Sequence, residues 1–349
     1  MRRRPLLAFP LLALAGSAAA LPPRTLRFPR DHGAHPALRT EWWYITGQAV
    51  SAGREFGFQL TFFRSRVDAT QGMVSRFAAR QLIFAHAAVT DVQGRKLRHD
   101  QRIAREGFGV ASASEADTAL RLRDWSLRRD PDGAYVARVV AEEFALDLRC
   151  APTQPLLLQG RAGLSRKGPE ERQASYYYSE PQLAVSGSLR LQGSALAVQG
   201  KAWMDHEWSD ELLHPDAQGW DWIGMNLDDG SALTAFRLRT SDGAALWDGG
   251  SFRPVHGDLY SFSRGEVIFS PQRRWKSALS QASYPVEWMI RTPADFYTVR
   301  AVVDDQELDS RASTGAIYWE GLAHLFDSNG KKVGQGYLEM TGYPQRLRL

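Results

Sequence analysis

Beyond residue 20, apolar and polar residues alternate at every second position in short segments, and no run of about a dozen residues carries a helical period. Candidate strands cover 41–50, 55–63, 81–90, 135–140, 144–149, 183–191, 195–203, 220–227, 232–239 and 297–303. Turn signals join many of them: Ser51-Ala52-Gly53, Asp132-Gly133, Gln192-Gly193-Ser194, Asp228-Asp229-Gly230, Ser241-Asp242-Gly243 and Ser328-Asn329-Gly330. Strands this short and this regularly punctuated predict an all-β chain of meandering antiparallel barrels. The charged segment 160–173 interrupts the rhythm and reads as a surface loop.

The two halves resemble each other. Trp42-Trp43, Gly53 and Phe63-Arg64 in the first correspond to Trp220/Trp222, Gly230 and Phe236-Arg237 in the second. Each half closes with an aromatic-glutamate strand, at Tyr177-Tyr178-Ser179-Glu180 and Tyr318-Trp319-Glu320. A hairpin then runs into Gly-x-x-x-Met, ending at Met204 and Met340. This duplication predicts domains at 21–210 and 211–349.

Residues 1–20 read as a secretory leader: Arg2, Arg3 and Arg4, an apolar core at 6–14, and Ala18-Ala19-Ala20. The expected location is therefore periplasmic or secreted, with the paired arginines leaving twin-arginine export open. No later stretch has the roughly 18–20 consecutive apolar residues of a membrane helix, although peripheral contact with membrane lipids stays open. Cleavage removes three arginines and lowers the formal charge from +4 to +1, which disfavours nucleic acid as a partner. A single cysteine, Cys150, excludes an intrachain disulfide, and nothing in the sequence sets the oligomeric state.

Chemistry concentrates in Trp203-Met204-Asp205-His206-Glu207-Trp208. On a strand, Trp203, Asp205 and Glu207 share one face and Met204, His206 and Trp208 the other, with the two carboxylates about 7 Å apart. Aligning the two Gly-x-x-x-Met segments sets Asp205 opposite Thr341, so the shared scaffold does not require an acid there. Asp205 and Glu207 also suit a structural role as capping or ion-pairing residues. His32 and His35 have H-x-x-H spacing, but no further ligands complete a metal set, so no metal is expected. There is no G-x-S-x-G elbow, P-loop or dinucleotide fingerprint, which points to chemistry without a cofactor. The clustered aromatics Trp43, Tyr176, Tyr178, Trp203, Trp208 and Trp222 suit core packing or an apolar or carbohydrate ligand.

The motifs Arg39-Thr40-Glu41-Trp42-Trp43-Tyr44, Tyr177-Tyr178-Ser179-Glu180-Pro181, Met204-Asp205-His206-Glu207-Trp208, Gly219-Trp220-Asp221-Trp222 and Gly336-Tyr337-Leu338-Glu339-Met340 together resemble the AttH family of secreted lipocalin-like proteins. That family is related to the carotenoid 1,2-hydratases, which add water to a terminal isoprenoid double bond. The resemblance implies two consecutive lipocalin-like (calycin) barrels and an acid-catalysed hydratase or secreted hydrolase acting on an apolar, isoprenoid-like substrate. It maps a suspected acid onto Asp205, between Trp203 and Trp208. Trp203 stands where the hydratases have tyrosine, and Tyr176 and Tyr178 where they have histidine and tryptophan. In that reading Asp205 protonates the alkene, Trp203, Trp208 and Trp222 stabilise the cation, and His206 or Asp221 orients the water. A non-catalytic lipid carrier, with a sealed cavity inside a barrel, and a glycosidase using Asp205 and Glu207 in an open groove are the competing readings. Export should yield a chain whose amino terminus is Leu21, which N-terminal sequencing of the secreted protein will check.

Overall fold

The computed structural model describes residues 20–347, so the segment 1–20, expected from its sequence to be a secretory leader, lies outside them except for its last residue. The all-β expectation holds: two 3-10 turns, Arg30–His32 and Asp68–Thr70, are the helical elements among the described residues. A 13-stranded antiparallel sheet runs from Thr40–Ser51 to Ser194–Glu211. A 10-stranded sheet runs from Gly219–Leu227 to Lys332–Met340. The first curls into a nearly closed barrel, the last two strands in its order, Ala119–Leu122 and Ala111–Ala113, packing against Gln81–Asp91 near the opposite edge. Both interiors are filled, one by residues such as Trp43, Phe62, Trp125 and Tyr135, the other by Ile223, Trp288, Trp319 and Leu338.

All the candidate strands form, and two are much longer than the alternation suggests. Segments 183–191 and 195–203 are parts of the hairpin Ala174–Leu191/Ser194–Glu211. A bulge at Pro181-Gln182, with Gln182 at φ 57°, breaks the alternation without ending the strand. The segment 160–173 departs from its surface-loop reading. Leu164–Arg166 pairs with the long hairpin, and Ser165, Lys167 and Gln173 are buried.

Each lobe carries a buried carboxylate–arginine pair at the same place in its sheet. In the first, Arg64 Nε donates to Glu41 at 2.7 Å across the Glu41–Arg64 rung. In the second, Arg237 Nε donates to Asp221 at 2.8 Å across the Asp221–Arg237 rung. These anchors correct the internal alignment. Trp208 lies beside Glu41 and Met340 beside Asp221, so Glu207 corresponds to Glu339 and Asp205 to Tyr337, not Thr341. Matching Gly-x-x-x-Met slid the strands by four residues. Four is even, so the slip left each residue's face unchanged.

The lobes meet over a mixed apolar seam that includes Tyr44, Trp203, Trp222, Phe236 and Leu322. Gln182 crosses it, its backbone N–H donating to Asn226 at 2.7 Å. At Gly57 a Cβ would lie 2.8 Å from the Tyr337 hydroxyl and 2.9 Å from Leu322, so only glycine allows this approach. Removing one member of a buried ion pair strands its partner. Arg64→Met should therefore cost about 3–5 kcal/mol in urea unfolding, and Glu41→Gln/Arg64→Met less than the single change.

Candidate active site between the lobes

Because alternate residues of Ser194–Glu211 face opposite ways, Asp205 and Glu207 turn out of the first barrel toward the seam. There they line a cavity of about 590 Å³. Trp42, Tyr44 and Phe63 form its wall on the first lobe; Trp220, Trp222, Phe236, Glu320 and Glu339 form the other.

Asp205 is almost fully enclosed, with three donors on its carboxyl group. Oδ1 accepts from Ser179 at 2.6 Å and from Trp203 Nε1 at 2.7 Å, while Oδ2 accepts from the Tyr177 hydroxyl at 2.8 Å. Burial nevertheless pushes its pKa up to about 7, the three donors opposing the rise and the charge of Glu207 adding to it. Oδ2, with one partner, is the oxygen best placed to carry a proton.

Glu207 accepts from the Ser175 hydroxyl, and Lys167 Nζ reaches it at 3.0 Å. The same ammonium sits over the Tyr177 and Phe236 rings, at 4.5 and 4.3 Å from their centroids. On the second lobe Glu320 and Glu339 face each other across neighbouring strands. Enclosure raises both: Glu339 to about 8, and Glu320 well above the ordinary carboxylate value, with the charge of Glu339 reinforcing the effect.

The structure brings together only part of the set expected from sequence. Asp205 and Trp222 line the cavity, and Trp203 stands behind Asp205 as its donor. His206 points the other way, into the barrel. Its Nε2 lies 2.9 Å from Glu41, its Nδ1 3.2 Å from the Tyr178 hydroxyl, and its ring stacks on Trp43. Burial lowers its pKa to about 4. Tyr176, Tyr178 and Trp208 pack under the N-terminal segment with Leu21 and Leu26. Asp221 is held by Arg237 and by the Tyr343 hydroxyl at 2.9 Å. Neither His206 nor Asp221 reaches the cavity to orient water. Trp43, Tyr176, Tyr178 and Trp208 offer it no aromatic face.

His35, Glu41 and His206 bring ligand-type atoms within 4.8 Å of one another. Both histidines contact Glu41 Oε1, at 2.7 and 2.9 Å, and Arg64 takes Oε2. Glu41 is thereby committed to an ion pair with Arg64 and to hydrogen bonds with both imidazoles, which is not an open ligand set. Hydrogen bonds from His206 and His35 outweigh burial and hold the Glu41 carboxyl far below its usual range.

Tyr177, Ser179, Lys167, Glu320 and Glu339 were missed. Parity could have found the first two: in the register of the long hairpin Tyr177 faces Glu207 and Ser179 faces Asp205, so odd-numbered residues of 175–179 belong with the acid. Lys167 was hidden by the charged segment around it, and the two glutamates come from the other lobe.

A family model described as AttH-like matches residues 19–343. The chain belongs to the AttH-like family. It is 47% identical to a putative AttH from Nitrosomonas europaea, with a TM-score of 0.87 over 94% of this chain and 100% of that one. It shares its fold with kievitone hydratase from Nectria haematococca at 13% identity, with a TM-score of 0.72 over 92% of this chain and 94% of that one. CghA with Sch210972 has the fold at 11% identity, with a TM-score of 0.53 over 88% of this chain and 90% of that one. No curated protein matches the chain by sequence.

The raised acid at Asp205 has a stability consequence with a definite sign. Its folded pKa, about 7, exceeds the ordinary value of 3.8. Between these values the folded state keeps a proton that the unfolded chain has released, so this group's contribution to stability falls as pH rises. Asp205→Asn removes that penalty. Its Tm should equal or exceed wild type at pH 8 and show no such gain at pH 4; a lower Tm at pH 8 would contradict the assignment.

Proposed function

We propose that this AttH-like protein is a cofactor-independent hydratase, adding water to a double bond of an apolar, isoprenoid-like substrate held between the lobes. The observation that carries this reading is Asp205: a carboxyl group poised to be protonated near neutral pH, in a cavity walled by tryptophan and tyrosine. The shared fold with a hydratase supports it at the level of scaffold, and the aspartate is the one to which the family resemblance points.

The chemistry follows from these groups. Asp205 Oδ2–H gives its proton to the less substituted alkene carbon, and the π electrons form the new C–H bond. The tertiary cation left behind faces the rings of Trp42, Tyr44 and Trp222. Water attacks it, and its surplus proton passes to Glu207. A protonated alcohol is so strong an acid that a carboxylate paired with Lys167 is base enough. Glu320 and Glu339, kept protonated by enclosure, hydrogen-bond the incoming water. Proton return from Glu207 to Asp205 through the cavity closes the cycle, and the net change is one water added to one alkene.

A carrier would need its sealed cavity inside a barrel, whereas both interiors are packed with side chains. The leader at 1–20 assigns the work to the periplasm or exterior. Incubation with lycopene, squalene and geraniol in deuterated water, followed by mass spectrometry, tests the reading. Asp205→Asn should lower hydration at least about a hundredfold and abolish deuterium incorporation into recovered alkene. Wild-type turnover should fall as pH rises through about 7, where Asp205 loses its proton. Glu207→Gln should lose hydration yet keep deuterium incorporation, because protonation remains reversible. Full turnover by Asp205→Asn would sink the proposal.

A further inference from the structure

Where Arg54–Arg66 gives way to Gln81–Asp91, the connecting segment carries an apolar tip that nothing in the fold covers. Val74 is 101% exposed and Phe77 65%, with Met73 and, from the neighbouring loop, Phe108 about half exposed. Their arrangement is built rather than frayed. Phe77 and Phe108 stack with centroids 5.5 Å apart, and the Arg105 guanidinium lies 4.1 Å from the Phe108 centroid. Arg105 also donates to the Phe77 carbonyl at 2.6 Å, and Arg80 to that of Met73 at 2.8 Å. Arg76 lies over Phe108, and Arg121 bonds the Gly109 carbonyl.

The acids in these two loops are Asp68, which pairs with Arg66, and Glu106. The tip is thus apolar at its end and cationic around its base. The segment closes where Val67 N–H donates to Arg80 at 3.0 Å. That is two residues from Ser65, which lines the cavity with Arg39. At about 3.3 Å per residue the tip's base stands beside the cavity rim.

An exposed aromatic and aliphatic end ringed by arginines matches the boundary between anionic lipid headgroups and acyl chains. We infer that Met73, Val74, Phe77 and Phe108 dock this protein onto an anionic lipid surface, holding the cavity rim against a reservoir of apolar molecules. The inference is independent of catalysis: it requires only that the tip meet lipid.

Vesicle flotation tests it, using the chain from Ala20 onward so that the apolar stretch at 6–14 is absent. Wild type should float with vesicles of phosphatidylglycerol and phosphatidylcholine, weakly with phosphatidylcholine alone, and less at 0.5 M salt than at low salt. Val74→Asp/Phe77→Ser should weaken binding to anionic vesicles at least about tenfold, with Tm unchanged because both side chains are solvent-facing. Two results would overturn it: wild type that ignores anionic vesicles, or a variant that binds as tightly as wild type. A concentration-dependent dimer in sedimentation velocity, dispersed by the same variant and without vesicle binding, would give the tip to a second copy instead.

Discussion

The pairing of Ser194–Glu211 with Thr40–Ser51 governs the rest of this molecule, because the side-chain period of a strand is two. A slip of one residue would turn Asp205 and Glu207 into the barrel and His206 out to the cavity. The register is held by a buried knot: Glu41 accepts from Arg64 on one neighbouring strand and contacts His206 on the other, while His35 closes it from the N-terminal segment. With its charges paired and its polar atoms bonded, the knot favours this register over its neighbours. The histidine beside the acid serves the architecture, and the acid is free to serve the cavity.

The second constraint is volume. Large aromatic side chains fill both barrel interiors, and the cavity of about 590 Å³ lies between the lobes. Facing two sheets across a seam also gathers Asp205, Glu207, Glu320 and Glu339 around one space. Desolvation makes ionisation there costly, and three of the four are shifted upward. Lys167, buried against two aromatic rings, partners the fourth. Acids that hold their protons to higher pH than usual thus follow from how the lobes pack, not from any one residue's neighbours in sequence.

The two lobes share one frame, while the residues that face the seam differ in part between them. Glu41–Arg64 and Asp221–Arg237 occupy matching rungs, and Glu207 matches Glu339. The acid at 205, by contrast, matches Tyr337. The histidine at 206 matches Leu338, so the second lobe's counterpart of the knot, Asp221 with Arg237 and Tyr343, is built without a histidine on that strand.

From sequence alone, period-two alternation and turn chemistry determined an all-β chain. They also placed eight of the ten candidate strands within a few residues, the long hairpin Ala174–Leu191/Ser194–Glu211 excepted, and set Asp205 and Glu207 on one face of their strand. These are local properties, decided by residues two to four apart. The tertiary structure decided which face meets the cavity, and it sent Trp43, Tyr176, Tyr178, His206 and Trp208 to the other side. It joined Lys167, Tyr177, Glu320 and Glu339 to the site, although Lys167 and Glu339 are far apart in the chain. No local pattern carries that information, because enclosure is a property of two sheets meeting, and enclosure is what keeps a carboxylic acid protonated.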